Sequence, residues 1–276
     1  MAYNVRLIEY PNGELQVRHY SFPLEREELD FYENEKIYDS DEYTVNPFDG
    51  QMARIVDNFG TELSKQAKKQ AESEIRSYNR TKQKIYEYSR CVKWEKFITL
   101  TFNQEKVDRH NFSECSRLAR QWLHNQRRNA PDLQYLLVPE MHKDGAWHFH
   151  GLLAQTGSMS FVDSGKRDKE RHVIYNMGAW SYGWTTATDV TDTHKVSKYI
   201  GKYITKDLCG LTKGKQRYFV SSNMPKPVTF AFFVSDSDDF EELLHDLANS
   251  YGVEIVHETR PRSPGAYVDV DYYELR

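Results

Sequence analysis

The chain is poor in the features that would place it outside the cytoplasm. It has three cysteines in 276 residues, Cys91, Cys115 and Cys209. These are too few and too scattered for a disulfide framework or a thiolate zinc cage. The longest uninterrupted apolar run is Phe230 to Val234, far short of the roughly 18 to 20 residues that a spanning helix needs. The first residues, Met1-Ala2-Tyr3-Asn4-Val5-Arg6, lack the basic and then apolar regions of a secretory signal. A cytoplasmic protein without a membrane partner is expected. No G-x-x-x-x-G-K-[ST] loop occurs, so a P-loop motor is excluded. Hydrophobic residues make up 39% and charged residues 28%, too apolar for a disordered chain and ordinary for a globular one.

Excess positive charge is also missing, since the formal net charge is −4. That average conceals a segregation. Residues 25–42 carry −7, residues 236–276 carry −8 and residues 1–24 balance, which leaves +11 on residues 43–235. A basic middle with acidic ends favours a polyanionic partner for the middle. The ends serve solubility or restrain non-specific DNA binding.

Four segments are expected: an N-terminal hairpin and acidic linker (1–50), a basic helical segment (51–93), a nuclease-like domain (94–235) and an acidic C-terminal segment (236–276). An Asn12-Gly13 turn between alternating runs predicts a hairpin over residues 3–20. The acidic stretch up to Gly50 has no period and reads as a loose linker. From Thr61 to Lys93 the chain is free of Gly and Pro, and Ile75, Tyr78, Ile85, Tyr86 and Tyr88 are spaced for a long helix. Strands are predicted at 97–102, 133–139, 148–154 and 184–190, helices at 113–128 and 195–206, and a loop over 155–178. The fold class is α+β: a central antiparallel β-sheet with packed helices, preceded by the hairpin and the long basic helix.

The densest set of possible ligands is Glu140-Met-His142-Lys-Asp144-Gly145-Ala-Trp147-His148-Phe-His150. Histidines at i and i+2 of a strand face one side and can converge on one ion. Whether Glu140 joins them depends on register. A two-residue loop, Asp144-Gly145, sends Glu140 to the wrong face. A three-residue loop, Asp144 to Ala146, sets Glu140 opposite His150 and His142 opposite His148. The odd loop, or a bulge, is therefore predicted, with Glu140 as third ligand. Two imidazoles and a carboxylate with open positions suit Mg²⁺ or Mn²⁺. His142 is either a spare ligand or surface. Without such an ion, the histidines are locally hydrogen-bonded structure.

Further on, Tyr199 and Tyr203 lie four apart, hence one helical turn from each other on one face, and each is followed three residues later by a lysine, Lys202 and Lys206. A phenol titrates near pH 10, so nucleophilic use needs nearby positive charge. The lysines supply it or bind phosphate; otherwise this is an amphipathic packing helix.

Taken in order, Phe97-Ile-Thr-Leu-Thr-Phe102, His148-Phe149-His150-Gly-Leu-Leu and Tyr199 to Lys206 resemble the three motifs of the His-hydrophobic-His (HUH) endonucleases, specifically the rolling-circle replication initiators of plasmids and single-stranded DNA phages. The doubled Tyr-x-x-Lys is similar to the two-tyrosine branch. The resemblance covers roughly residues 90–225 and implies an RRM/ferredoxin-like sheet. It also implies a divalent metal, Mg²⁺ or Mn²⁺, on Glu140, His148 and His150, and site-specific nicking and rejoining of origin single-stranded DNA through a 5′-phosphotyrosine. Tyr199 and Tyr203 would be the nucleophiles, with Tyr203 favoured if one suffices, and Lys202 and Lys206 would steady phosphate charge. A host helicase and polymerase would do the unwinding and extension. Lys195, Lys198, Lys213, Lys215 and Arg217 flank the catalytic helix. Trp147, Trp180, Tyr182 and Trp184 are candidate stacking residues, with Trp147 first because it adjoins His148. A relaxase or tyrosine transposase, a non-catalytic DNA-binding module, and a small-substrate metallohydrolase are the competing expectations.

Overall fold

The computed structural model describes residues 2–24, 43–45, 52–54, 65–203, 212, 215–260 and 269–276. In chain order these form β1 (Tyr3–Glu9), β2 (Leu15–Leu24), β3 (Tyr43–Val45), β4 (Met52–Arg54), α1 (Lys65–Arg90), β5 (Lys96–Thr101) and α2 (Phe112–Gln126). There follow β6 (Gln134–Met141), β7 (Trp147–Ala154), β8 (Val162–Arg167), β9 (Val173–Asn176), β10 (Thr185–Asp189) and α3 (Thr193–Ile200) with a 3₁₀ turn at Gly201–Tyr203. The last elements are β11 (Phe219–Val220), β12 (Val228–Phe232), α4 (Ser237–Tyr251), β13 (Ile255–Thr259) and β14 (Val270–Leu275). The fold is α+β with antiparallel sheets. It comprises two compact units, Met1–Arg80 with Lys226–Arg276, and Thr81–Pro225.

In the first unit the expected hairpin is present. Tyr10 donates to the Glu14 carbonyl at 2.8 Å, and the turn requires Gly13 at φ +86°, a conformation that a Cβ disfavours. The hairpin is the centre of a five-stranded sheet ordered β12-β1-β2-β14-β13. Helix α4 covers one face, placing Phe240 and Leu244 on Val5, Leu7, Leu15, Val17, Tyr273 and Leu275. The acids of the C-terminal segment start that helix. Asp236 caps it by accepting from the Asp238 and Asp239 amides, and acids in a first turn complement the helix dipole. Most of the linker to Gly50 lies outside the described residues, but Tyr43–Val45 pairs with Met52–Arg54 as a small sheet.

The second unit holds a seven-stranded sheet ordered β11-β6-β7-β5-β10-β9-β8. Alternation dictates its faces. Ile98 and Leu100 of β5, with Phe149 of β7 and Ala187 of β10, are buried on one side, where α2 adds Cys115, Leu118, Ala119, Trp122 and Leu123. Asn111 caps α2 by accepting from the Ser113 and Glu114 amides. The other side carries Phe97, Thr99 and Thr101 of β5 and the histidines of β7, because directly paired residues share a face.

Two expectations need correction here. Residues 155–178 are not a loop throughout: β8 and β9 pair as a hairpin. Its strands are exposed on both faces, so they lack the apolar alternation that marks a strand. Local bonds hold them instead, Arg167 forking onto both Asp163 oxygens at 3.0 Å and Ser164 Oγ donating to the Ile174 carbonyl at 2.5 Å. The helix expected over 195–206 ends at Ile200 and tightens to 3₁₀ at Gly201–Tyr203; residues 204–206 lie outside the described residues.

Candidate active site

The turn between β6 and β7 fixes the candidate site. Gly145 donates to the His142 carbonyl at 2.9 Å and His142 to the Ala146 carbonyl at 2.8 Å, with Gly145 at φ +83°. The three-residue loop is therefore Lys143 to Gly145, a type I turn whose third loop position takes the left-handed glycine. The expected loop, Asp144 to Ala146, is displaced by one residue, since it would put alanine where the glycine is needed. Odd loop length is kept, so Glu140 still shares the histidine face. Its direct partner, however, is His148, and His150 pairs with Val138. Asp144 steadies the turn, accepting from the Ala146 amide at 3.0 Å and meeting Arg109 at 3.2 Å.

Across that diagonal, Glu140 Oε2 lies 2.7 Å from His150 Nε2, while His150 Nδ1 lies 3.1 Å from Thr99 Oγ1. The hydrogen bond to His150 is the largest influence on Glu140 and holds its carboxyl below the usual range. His148 stacks on His142 with ring centroids 4.6 Å apart and planes at 12°. Burial, then the charges of His142 and His150, hold the His148 imidazole below its ordinary value. His142 is thus a partner of His148 on the same face.

Helix α3 delivers the tyrosines. Asp192 caps it, and Ser197 Oγ donates to the Ser89 carbonyl at 3.0 Å, tying it to the end of α1. Because the chain tightens after Ile200, Tyr199 and Tyr203 are not a turn apart on one α-helix as expected, yet their rings meet edge to face at 5.4 Å. The Tyr203 ring lies flat on the His150 imidazole, centroids 3.6 Å apart at 12°. Phe97 fills the corner, 5.4 Å from Tyr199 and 6.3 Å from Tyr203. Burial first, then the hydrogen bond with Tyr199 and the charges of Tyr199 and Glu140, pushes the Tyr203 phenol well above the usual tyrosine range. Lys202 sits over the Tyr199 ring at 5.2 Å. Lys206 lies outside the described residues.

The structure therefore brings Glu140, His150, Tyr203 and Tyr199 together, with His148 beside them on the sheet. Thr99 and Phe97 were not singled out from sequence, although their i and i+2 placement on the strand paired with the histidines marks their face. Among the described residues no three His, Cys, Asp or Glu side chains converge as a ready cation cage. A carboxylate and an imidazole meeting at 2.7 Å, with a second imidazole on the same face, nevertheless fit a hard divalent ion in kind.

The surrounding residues divide sharply. Trp147, expected first as a stacking residue, is only 4% exposed; it packs on Phe112 at 4.7 Å and donates to the His110 carbonyl. Trp180 is buried as well, and Tyr182 packs against it. Trp184 is 78% exposed. Lys195 and Lys198 are exposed, as is Lys215, which lies over the Phe112 ring. Arg217 is half-buried and Lys213 lies outside the described residues.

No helix among the described residues is long and apolar enough to cross a membrane. No curated protein and no solved structure matches the chain significantly. Residues 95–208, which begin just before β5 and run past Tyr203 and so contain every site residue discussed above, match the sequence model of a family of replication-associated proteins of the ORF2 type, a finding that supports a replication-initiator family for this part of the chain.

Proposed function

We propose that the chain is a rolling-circle replication initiator that nicks and rejoins single-stranded origin DNA through a 5′-phosphotyrosine. The observation that carries this reading is the Tyr203 ring stacked on the imidazole whose Nε2 meets Glu140, within a segment similar to a replication-associated family. A nucleophile is thereby held against the one place on the sheet where a carboxylate and an imidazole converge.

Glu140, His148 and His150 would hold Mg²⁺ or Mn²⁺, which when bound supplies Lewis-acid polarisation of the scissile phosphate and positive charge beside the phenol. Thr99 orients His150 through Nδ1, so that Nε2 faces Glu140. The Tyr203 oxygen attacks phosphorus; the bond to the 3′-oxygen breaks, and that oxygen takes a proton from water to become a free 3′-hydroxyl. The phenolic proton leaves through its hydrogen bond with Tyr199, whose ring is 44% exposed. The adduct conserves the phosphodiester, so a 3′-hydroxyl can attack it and rejoin DNA without ATP. Tyr199 provides a second acceptor for a successive transfer. Lys202, and Lys206 by sequence position, steady phosphate charge. A host polymerase extends the released 3′-end after a host helicase opens the duplex.

The test is a random-sequence single-stranded DNA pool incubated with the full chain and Mn²⁺, followed by denaturing electrophoresis. A protein-linked DNA band is expected. It should vanish in the Tyr199→Phe, Tyr203→Phe double variant and in His148→Ala. DNA binding with no covalent band under any divalent ion would leave a non-catalytic DNA-binding module.

A further inference from the structure

The chain has five tryptophans, and four of them are in the core. Trp94 is buried with its Nε1 donating to the Ser89 carbonyl at 2.6 Å. Trp122, Trp147 and Trp180 are each no more than 5% exposed. Trp184 alone leaves most of its indole in water. No ring, cation or side-chain hydrogen bond engages that indole among the described residues. Exposing a large aromatic surface forgoes the burial that stabilises the other four, so an isolated, open indole is best explained by something that covers it.

Its position says what. Trp184 directly precedes β10, beside Thr101, which donates its amide to the Trp184 carbonyl at 2.9 Å. Thr101 pairs with His148, and His148 pairs with Glu140. Thr185 next to it points into the core and Thr186 after that is exposed, so alternation puts the Trp184 side chain on the histidine face. A row Glu140, His148, Thr101, Trp184 therefore crosses the sheet. Two strand spacings, about 10 Å, separate His148 from Trp184.

The platform is also rigid. Thr101 Oγ1 donates to the Trp184 carbonyl at 2.9 Å and accepts from its amide at 3.1 Å. Asn103 donates to the Tyr182 carbonyl at 2.8 Å. Gly183 permits the contact, since a Cβ there would stand 2.2 Å from the Thr101 carbonyl oxygen. On the preceding loop Lys106 Nζ donates to the Ser181 carbonyl at 3.0 Å, which leaves an exposed ammonium for a phosphate.

We propose that Trp184 is the stacking platform for a base that flanks the scissile phosphate of the single-stranded DNA, an assignment that rests on the nicking function above. Stacking accepts any base, because each has a π-face, and so it positions the strand without reading sequence. The indole holds the strand in line with the histidine row while the phosphate lies over Glu140 and His150.

The test is equilibrium binding of the full chain, in chelator so that no cleavage occurs, to fluorescent oligothymidylate and to a base-free deoxyribose-phosphate oligomer of equal length. Trp184→Ala should bind oligothymidylate about 5- to 150-fold more weakly, the range expected for one lost stack. It should bind the base-free oligomer as the wild type does. Trp184→Phe should retain most of the affinity. Equal oligothymidylate affinity in wild type and Trp184→Ala overturns the proposal, and so does an equal loss on both oligomers, which would mark a general effect on the backbone contact. Preference for oligouridylate over oligothymidylate would transfer the platform to RNA and overturn the DNA assignment. If the wild type binds neither DNA oligomer, the nicking function fails together with the platform; if it binds and forms the covalent band while Trp184→Ala binds equally, only the platform fails.

Discussion

Gly183→Ala tests the link between backbone packing and the candidate site most directly. A Cβ at this position would meet the Thr101 carbonyl oxygen at 2.2 Å, the Asn103 nitrogen at 2.8 Å and Phe102 Cα at 2.9 Å. All three are backbone atoms at one strand end, so no side-chain rotation relieves the contact. Relief requires residues 182–184 to move off β5, which breaks the bonds from the Thr101 amide to Trp184 and from the Asn103 amide to Tyr182. The Thr101 oxygen also accepts from Trp180 Nε1 at 2.9 Å, so the disturbance reaches the core. Two backbone hydrogen bonds at about 1 kcal/mol each, plus about 1–3 kcal/mol for overpacking, give a loss of about 3–5 kcal/mol. Native-state hydrogen exchange at the Thr101 and Asn103 amides measures it locally, which suits a chain of two units better than a single melting curve. Gly178→Ala is the control: nothing lies within 4 Å of its Cβ and its φ is ordinary, so it should be neutral or stabilise by up to about 1 kcal/mol. A loss below about 1 kcal/mol for Gly183→Ala, or equal losses for the two variants, would refute the close approach.

Thr99→Val removes the partner of His150 Nδ1 and should weaken Mn²⁺ binding about 10- to 100-fold, as read by Mn²⁺ paramagnetic resonance; unchanged affinity would separate Thr99 from the site. Phe97→Ala opens the corner between His150, Tyr199 and Tyr203 and should slow covalent-adduct formation with little effect on oligothymidylate binding; a normal adduct rate would show that Phe97 does not position the phenols. Cys91 and Cys115 are buried, and burial first of all pushes both thiols up to about 12. Each thus favours folding below its ordinary pKa and loses that contribution as pH rises toward 12, so both should resist iodoacetamide in the native chain at pH about 8 and react in urea. Glu140 and His148 are shifted the other way: both bind protons more weakly when folded, so they favour the fold above their ordinary pKa values, and that contribution falls as pH drops through the depressed ones. The midpoint of thermal unfolding should drop on acidification from about pH 7; a midpoint that rises instead would contradict these environments.

What the sequence discloses about this site is parity, and parity is robust because a strand alternates with period two. His148, His150 and Glu140 had to share a face for any odd loop, and they do, although the turn is centred one residue earlier than expected and the direct partner of Glu140 is His148. The slip follows from Gly145, whose left-handed φ belongs at the last loop position rather than in the middle. Other features were hidden because nothing local encodes them. The β8–β9 hairpin is held by Asp163, Arg167 and Ser164 rather than by an apolar stripe. The N-terminal hairpin finds β12 and β14 more than two hundred residues away, a pairing that no window of neighbouring residues reveals. Among the tryptophans, adjacency to His148 pointed to Trp147, yet odd and even positions of β7 face opposite sides, so that adjacency itself consigns Trp147 to the core. The same alternation applied to β10 puts Trp184 on the histidine face, because Thr185 and Ala187 take the buried positions. Distance along the chain was the misleading measure and register the informative one: a residue 36 positions from His148 stands in its row, while its immediate neighbour does not.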